Sequence, residues 1–364
     1  MRNAFAVGCV LLSAFAAGDA TCMGGTPLEW MLELTIHGRR VEGAPVTWNE
    51  HEVVVMGRDG QLWQFAPEEA RDYRKSSDRF YGYSPAELRS ILRTELGGGY
   101  EVSGTGHYLV AHPGGARDEW ADRFEDLYRR FVHYFSVRGF RMVEPPFPLI
   151  GIVCRNREEF SRYAAANGGP TAGGVLGFYS NQTNRIVLYD VGVRGTGTGG
   201  WQQNAATVVH EATHQMAFNT GIHSRYVQPP LWVAEGLATM FEGIVAAGGR
   251  SDGPSQARAN PSRLAAFRTS VAPNHRPEIL ADLVATDRLF RAAPSAAYAE
   301  AWAMTFYFVE TQPARYAEYL ARTARRPAFE RYSPQQRTAD FTAVFGDDWR
   351  MLEARLFRFI EGLR

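Results

Sequence analysis

The sequence predicts an α+β fold: a lobe built on a mixed sheet, two consecutive metal-binding helices, and a helical C-terminal lobe. Three observations predict it. Short apolar segments bounded by Gly, Pro and Asn dominate as far as Tyr189. Helical spacing of apolar residues dominates beyond residue 260. Between the two lie a pair of strongly apolar helical stretches that each carry ionisable side chains, His210, Glu211 and His214 on the first and Glu235 on the second.

The elements follow in chain order. Arg2 precedes the apolar run Ala4–Leu12, and small residues continue through Ala20. That is the composition of a signal peptide spanning residues 1–20, and it implies an extracytoplasmic protein, periplasmic or secreted. Residues 21–98 read as a β-rich module followed by a helical linker. Glu29–Ile36, the stretch around Val41, His51–Met56 and Gln61–Phe65 are its strands, with Arg58-Asp59-Gly60 as a tight turn. Residues 67–98 are charged and helical in part, where Ser84-Pro85-Ala86-Glu87 has the form of a capping box. Three glycines at 97–99 close this region, and the main domain is expected over 99–364.

That domain opens with a strand pair, Tyr100–Ser103 and Gly106–Ala111. A helix from about Arg117 to Val137 carries Trp120, Phe124, Leu127, Tyr128, Phe131 and Tyr134 at helical spacing. A strand over 148–154 and a helix over 157–166 follow. Gly177–Ser180 and Arg185–Tyr189 flank the polar turn Asn181-Gln182-Thr183-Asn184 and read as a β-hairpin, one strand of which is expected to line a cleft. Helices are expected near 295–312, 313–324 and 346–362.

The segment with chemistry is Val208-Val209-His210-Glu211-Ala212-Thr213-His214-Gln215. Two histidines four apart on a helix lie on one face, one turn from each other. That spacing lets two imidazole nitrogens hold one Zn2+ with the intervening Glu beside it as a proton acceptor. Asn204 is a good N-cap after the Gly/Thr-rich loop Gly192–Gly200, and Gly221 a good stop. Val208, Val209, Ala212, Met216 and Ala217 make the helix a buried one, where polar groups need partners.

A catalytic zinc site wants three protein ligands and an open position. The pattern H-E-x-x-H-x-x-G-x-x-H is broken by Ala217 and Thr220. His223 in the connecting segment is one alternative, against a surface histidine. The stronger candidate is Glu235 on the helix that enters through Pro229-Pro230, because a lone carboxylate among Trp232, Val233, Ala234 and Leu237 needs a cation. An ion pair with an arginine such as Arg225 would also satisfy it. Glu242, seven residues on and nearly on the same face, is the reserve ligand.

His-Glu-Ala-Thr-His-Gln followed by Trp-Val-Ala-Glu-Gly-Leu-Ala resembles the gluzincin metallopeptidases, of zincin-like fold, and the W-x-x-E-G-x-A phrasing is most similar to a bacterial family of uncharacterised peptidase-MA-like proteins, DUF1570. The resemblance runs from about Tyr100 to the C-terminus, with its specific motifs confined to His210–Gly243. It implies one catalytic zinc held by His210, His214 and Glu235, Glu211 as the base that activates a zinc-bound water, and a peptide or protein substrate. In gluzincins of the aminopeptidase type a Tyr on a later helix stabilises the oxyanion, and by that analogy Tyr298 fills the role. The alternative is that Tyr298 and Trp302 simply pack in the core. One departure stands out. Thermolysin-like enzymes orient the first histidine with an Asp four residues after the ligand Glu, and here that place is Thr239. This departure keeps open a catalytically weak or inactive binding module of the same fold, beside a third reading, a zinc amidase acting on cell-wall material.

Composition narrows the partners. Lys+Arg and Asp+Glu both total 39, and there is no basic run, so nucleic acid is an unsuitable partner. No stretch reaches transmembrane length, so no stable membrane span is expected. Cys9 falls in the leader, leaving Cys22 and Cys154 either as one disulfide or with Cys154 as an inert buried thiol.

Overall fold

The computed structural model describes residues 28–115, 119–170, 175–190, 199–248, 254–274 and 278–363. Residues 1–20, where a signal peptide is expected, and Cys22 lie outside the described residues.

Five strands come first: β1 (Met31–Ile36), β2 (Arg39–Trp48), β3 (Val53–Gly57), β4 (Leu62–Phe65) and β5 (Ala70–Ser77). They form an antiparallel sheet in the order β4-β3-β2-β1-β5. His37 and Gly38, at φ 49° and 78°, turn β1 into β2 with the two left-handed residues that match strand twist. The strand at β5 was not expected from its sequence, ARDYRKSS, which is exposed on both faces and held by pairing with β1.

Next come α1 (Pro85–Leu96), β6 (Tyr100–Gly104), β7 (Tyr108–Pro113), α2 (Trp120–Ser136), β8 (Leu149–Cys154), α3 (Arg157–Ala166), β9 (Gly177–Ser180) and β10 (Arg185–Tyr189). The second sheet runs β6-β7-β8-β10-β9, parallel at its centre and antiparallel at both edges. Its central strand β8 is buried throughout and reads LIGIVC, the near-continuous apolar run that two covered faces require. One face buries Leu109, Ile150, Ile152 and Val187 under Leu88 and Leu92 of α1 and Phe160 of α3. The other buries Val110, Val153, Ile186 and Leu188 under Phe124 and Phe131 of α2 and Val208 and Ala212 of the next helix.

That helix is α4 (Gly199–Asn219), followed by α5 (Leu231–Ala246). Asn204 is therefore interior to α4 rather than its cap, the helix beginning five residues earlier. The remainder is helical: α6 (Ser255–Arg258), α7 (Pro261–Ala266), α8 (Ile279–Ala285), α9 (Arg288–Ala292), α10 (Pro294–Thr311), α11 (Pro313–Ala324), α12 (Pro334–Phe345) and α13 (Trp349–Gly362). The molecule is thus mixed α+β, two sheets with a helical C-terminal region. Its largest helix-to-helix interface joins α5 and α10. Helix α10 is buried on nearly every side; Tyr298 is one of the few half-buried positions.

The first sheet is anchored to the rest. Val54, Met56 and Leu62 pack with Phe147 and Tyr226, and the Leu62 N–H donates to the Gln182 carbonyl at 2.7 Å. Cys154 is a buried free thiol, pushed up to about 12 by burial and then by Glu159. Among the described residues no helix is long and apolar enough to cross a membrane.

Candidate metal centre

Helix α4 is fixed before its histidines are placed. The Gln215 amide donates to the carbonyls of Ile150 (3.1 Å) and Asn184 (2.7 Å), tying α4 to β8 and to the hairpin turn. Asn219 and Asn184 exchange side-chain hydrogen bonds, and the Tyr179 hydroxyl donates to Asn184 at 3.0 Å. None of Gln215, Asn219 and Asn184 was singled out by sequence; the polar residues trailing His214 on α4 were the available signal.

On that frame His210 and His214 turn their Nε2 atoms to within 3.1 Å of each other. Helix α5 brings Glu235 to the same point. Its Oε2 lies 3.2 Å from His210 Nε2 and its Oε1 3.7 Å from His214 Nε2. These three side chains are the group of metal-ligating residues that converge among the described residues. Their spacing fits a metal. Ligand atoms about 2.0–2.2 Å from a tetrahedral Zn2+ stand roughly 3.3–3.6 Å apart. Glu235 Oε2 is buried without a hydrogen bond, which a cation would satisfy. The Arg225 alternative fails, because that guanidinium bonds the carbonyls of Gly60 and Asn181 instead.

Glu242 is not in the ligand group. Its Oε1 lies 2.7 Å from His210 Nδ1, the nitrogen on the far side of the ring. It therefore supplies the bond that Thr239 cannot; the Thr239 hydroxyl is spent on its own helix, donating to the Glu235 carbonyl at 2.7 Å. Asn260 completes the chain with a 3.1 Å bond to Glu242 Oε2 and a 2.9 Å bond to the Thr239 carbonyl. Gly243 makes that approach feasible, since a Cβ there would sit 2.8 Å from the Asn260 backbone nitrogen.

Glu211 accepts a 2.7 Å hydrogen bond at Oε2 from the Tyr179 N–H of β9, the edge strand of the second sheet. The hairpin strand expected at the cleft thus touches the candidate base. Tyr298 faces Glu235 from α10, across an interface closed by Gly236; a Cβ at 236 would lie 2.5 Å from the Ala301 carbonyl oxygen. Trp302 does not join the site and stacks on Phe306 in the core. His223 is neither ligand nor surface residue. It is buried against Phe218, and burial, then His214, pull it down to about 3.

The electrostatics agree with a cation site. Three carboxylates, Glu211, Glu235 and Glu242, surround two imidazoles. Burial opposes charge on His210, but the Glu235 carboxylate beside it and the bond to Glu242 lift it to about 10. Burial also opposes charge on Glu235, yet His214 and His210 hold that carboxyl well below the usual range. Burial raises Glu211, against the pull of His214 and His210, the direction a general base needs. The Tyr298 phenol is raised by burial and then by Glu235, so it stays protonated and able to donate.

No curated protein matches the chain. Residues 204–330, which contain His210, Glu211, His214, Glu235, Glu242, Asn260 and Tyr298, match the model of a family described as Protein of unknown function (DUF1570).

Proposed function

We propose that this chain is a zinc metallopeptidase of gluzincin type and zincin-like fold, acting on peptides outside the cytoplasm. The observation that carries this reading is the convergence of His210 Nε2, His214 Nε2 and the Glu235 carboxylate, with ligand atoms within 4.8 Å of one another and Glu211 alongside. The apolar run behind Arg2 supports export.

A bound Zn2+ supplies Lewis acidity, easing deprotonation of water and polarising a carbonyl. His210, His214 and Glu235 would hold it, and Glu242 fixes the His210 ring by taking its Nδ1 proton in a hydrogen bond. Glu211 takes the proton of the attacking water at Oε1, its Oε2 being held by Tyr179, and hands it to the leaving nitrogen. The Tyr298 hydroxyl donates to the oxygen that gains charge. Edge strand β9 offers its outer side to an extended peptide.

The test is metal content and cleavage of a peptide library by the purified protein. Stoichiometric zinc, cleavage, and a Glu211→Gln variant that keeps zinc but loses about 100- to 10,000-fold in rate support the reading. Zinc with no cleavage of any peptide points to the binding module instead.

A further inference from the structure

Beside the candidate metal centre stands a cation that meets no carboxylate among the described residues. Arg263 lies on α7, and its guanidinium carbon is 5.1 Å from the centroid of the Tyr298 ring, the ring that faces Glu235. Its Nε is buried without a hydrogen bond. Among the described residues no carboxylate or carbonyl reaches the guanidinium. Arg185 and Arg337 share that open Nε, but their terminal nitrogens meet Glu95 and Asp287, as those of Arg138 and Arg258 meet Glu310 and those of Arg225 two carbonyls, whereas half-buried Arg263 meets no carboxylate among the described residues. A guanidinium without a carboxylate of its own can receive one from a ligand.

The position of Arg263 is built. The Asn260 side chain accepts from the backbone N–H groups of Ser262 (3.1 Å) and Arg263 (3.2 Å) while its amide holds Glu242. The turn that presents Arg263 is therefore rigidly linked to the residue that orients His210. Around the metal ligands the fixed charge is negative, so a substrate carboxylate would be repelled unless a cation received it. Arg263 lies over the face of the Tyr298 ring, which itself faces Glu235, so a peptide held at the metal ligands would pass within reach of the guanidinium. A guanidinium fork matches a carboxylate in two parallel bonds.

We propose that Arg263 is a specificity-determining residue that binds a carboxylate of the peptide close to the bond cut, either the C-terminal carboxylate or an Asp or Glu side chain. This rests on the peptidase reading, and its test separates the two by measuring binding without turnover. Zinc-loaded Glu211→Gln protein is titrated calorimetrically with four acetylated tetrapeptides: tetra-alanine as free acid, tetra-alanine as amide, and the amide with Glu or with Gln at the third position. At least one charged peptide is expected to bind about tenfold or more tightly than its neutral partner. A free-acid preference marks the chain terminus as the ligand, and a Glu preference marks the side chain. Adding Arg263→Gln should bring the ratio to about one, and Arg263→Lys should keep part of it, with zinc content and melting temperature unchanged. Equal binding of charged and neutral members, or no binding of either, overturns the assignment on the Arg263-containing protein alone, whether or not the variants fold. Failure of the wild-type enzyme to cleave, with the binding preference intact, counts against the peptidase reading and leaves the anion site standing.

Discussion

At the scale of single residues, Glu242 does what the chain's departure from the thermolysin-like pattern left undone. Its bond to His210 Nδ1 at 2.7 Å fixes the ring so that Nε2 faces His214 and Glu235. Glu242→Gln should weaken zinc by about 10- to 100-fold in chelator competition. Thr239→Ala should leave it nearly unchanged, because that hydroxyl serves its own helix. Equal losses in the two variants would contradict this division of labour. The H-E-x-x-H spacing made His210, Glu211 and His214 legible in the sequence, and the apolar setting of Glu235 made it the leading third candidate. The part played by Glu242 was not legible. Seven residues after Glu235 it shares nearly the same face, but which imidazole nitrogen it meets depends on the crossing of α4 and α5. Asn260 and Arg263 were invisible for a related reason: a polar side chain after a loop carries no pattern that says what it will face.

At the scale of elements, the motif glycines set how closely helices approach. A Cβ on Gly236 would press on the Ala301 carbonyl oxygen and the Thr305 hydroxyl, so Gly236→Ala must push α10 away from α5. We expect a loss of about 1–3 kcal/mol in denaturant unfolding, together with a fall in kcat as Tyr298 retreats from Glu235. Tyr298→Phe should reproduce the rate loss without the stability loss. In Gly243→Ala the displaced element is the segment bearing Asn260, and the expected damage is to zinc affinity. Elements with strong local signals were legible: the hairpin β9–β10, α3 and α11 stand where spacing and turn residues put them. Strand β5 was not, since charged residues on both faces give no alternation and only β1 holds it. Helix α12 was missed although Ser333 and Gln336 form the same capping box as Ser84 and Glu87, the one that marked α1. Its apolar residues are too few for the period to show.

At the scale of the whole molecule, α10 also carries a buried acid that the site does not use. Burial, then the charge of Glu353 on α13, push the Glu300 carboxyl from an ordinary 4.5 up to about 8. Unfolded, it would lose its proton near the ordinary value. Between these two values the folded protein holds the extra proton, so stability is fully present below the lower one and drains as pH rises through about 8. The slope is about 1.4 kcal/mol per pH unit while the difference lasts. Melting temperatures taken from pH 5 to 9 should fall more steeply in the wild type than in Glu300→Gln; parallel curves would dismiss the effect. The anchoring of the first sheet reaches further. The Asn181 and Gln182 carbonyls at the tip of the hairpin that touches Glu211 are gripped by Arg225 and by the Leu62 N–H, and Arg225 in turn grips Gly60. A clone begun after residue 98 would strip the hairpin of its bond from Leu62 and take the Gly60 carbonyl from Arg225, leaving that guanidinium to Asn181. The residues ahead of 99 are in that sense a splint for the hairpin that holds Glu211, and severing them should loosen that carboxylate while leaving His210, His214 and Glu235 together.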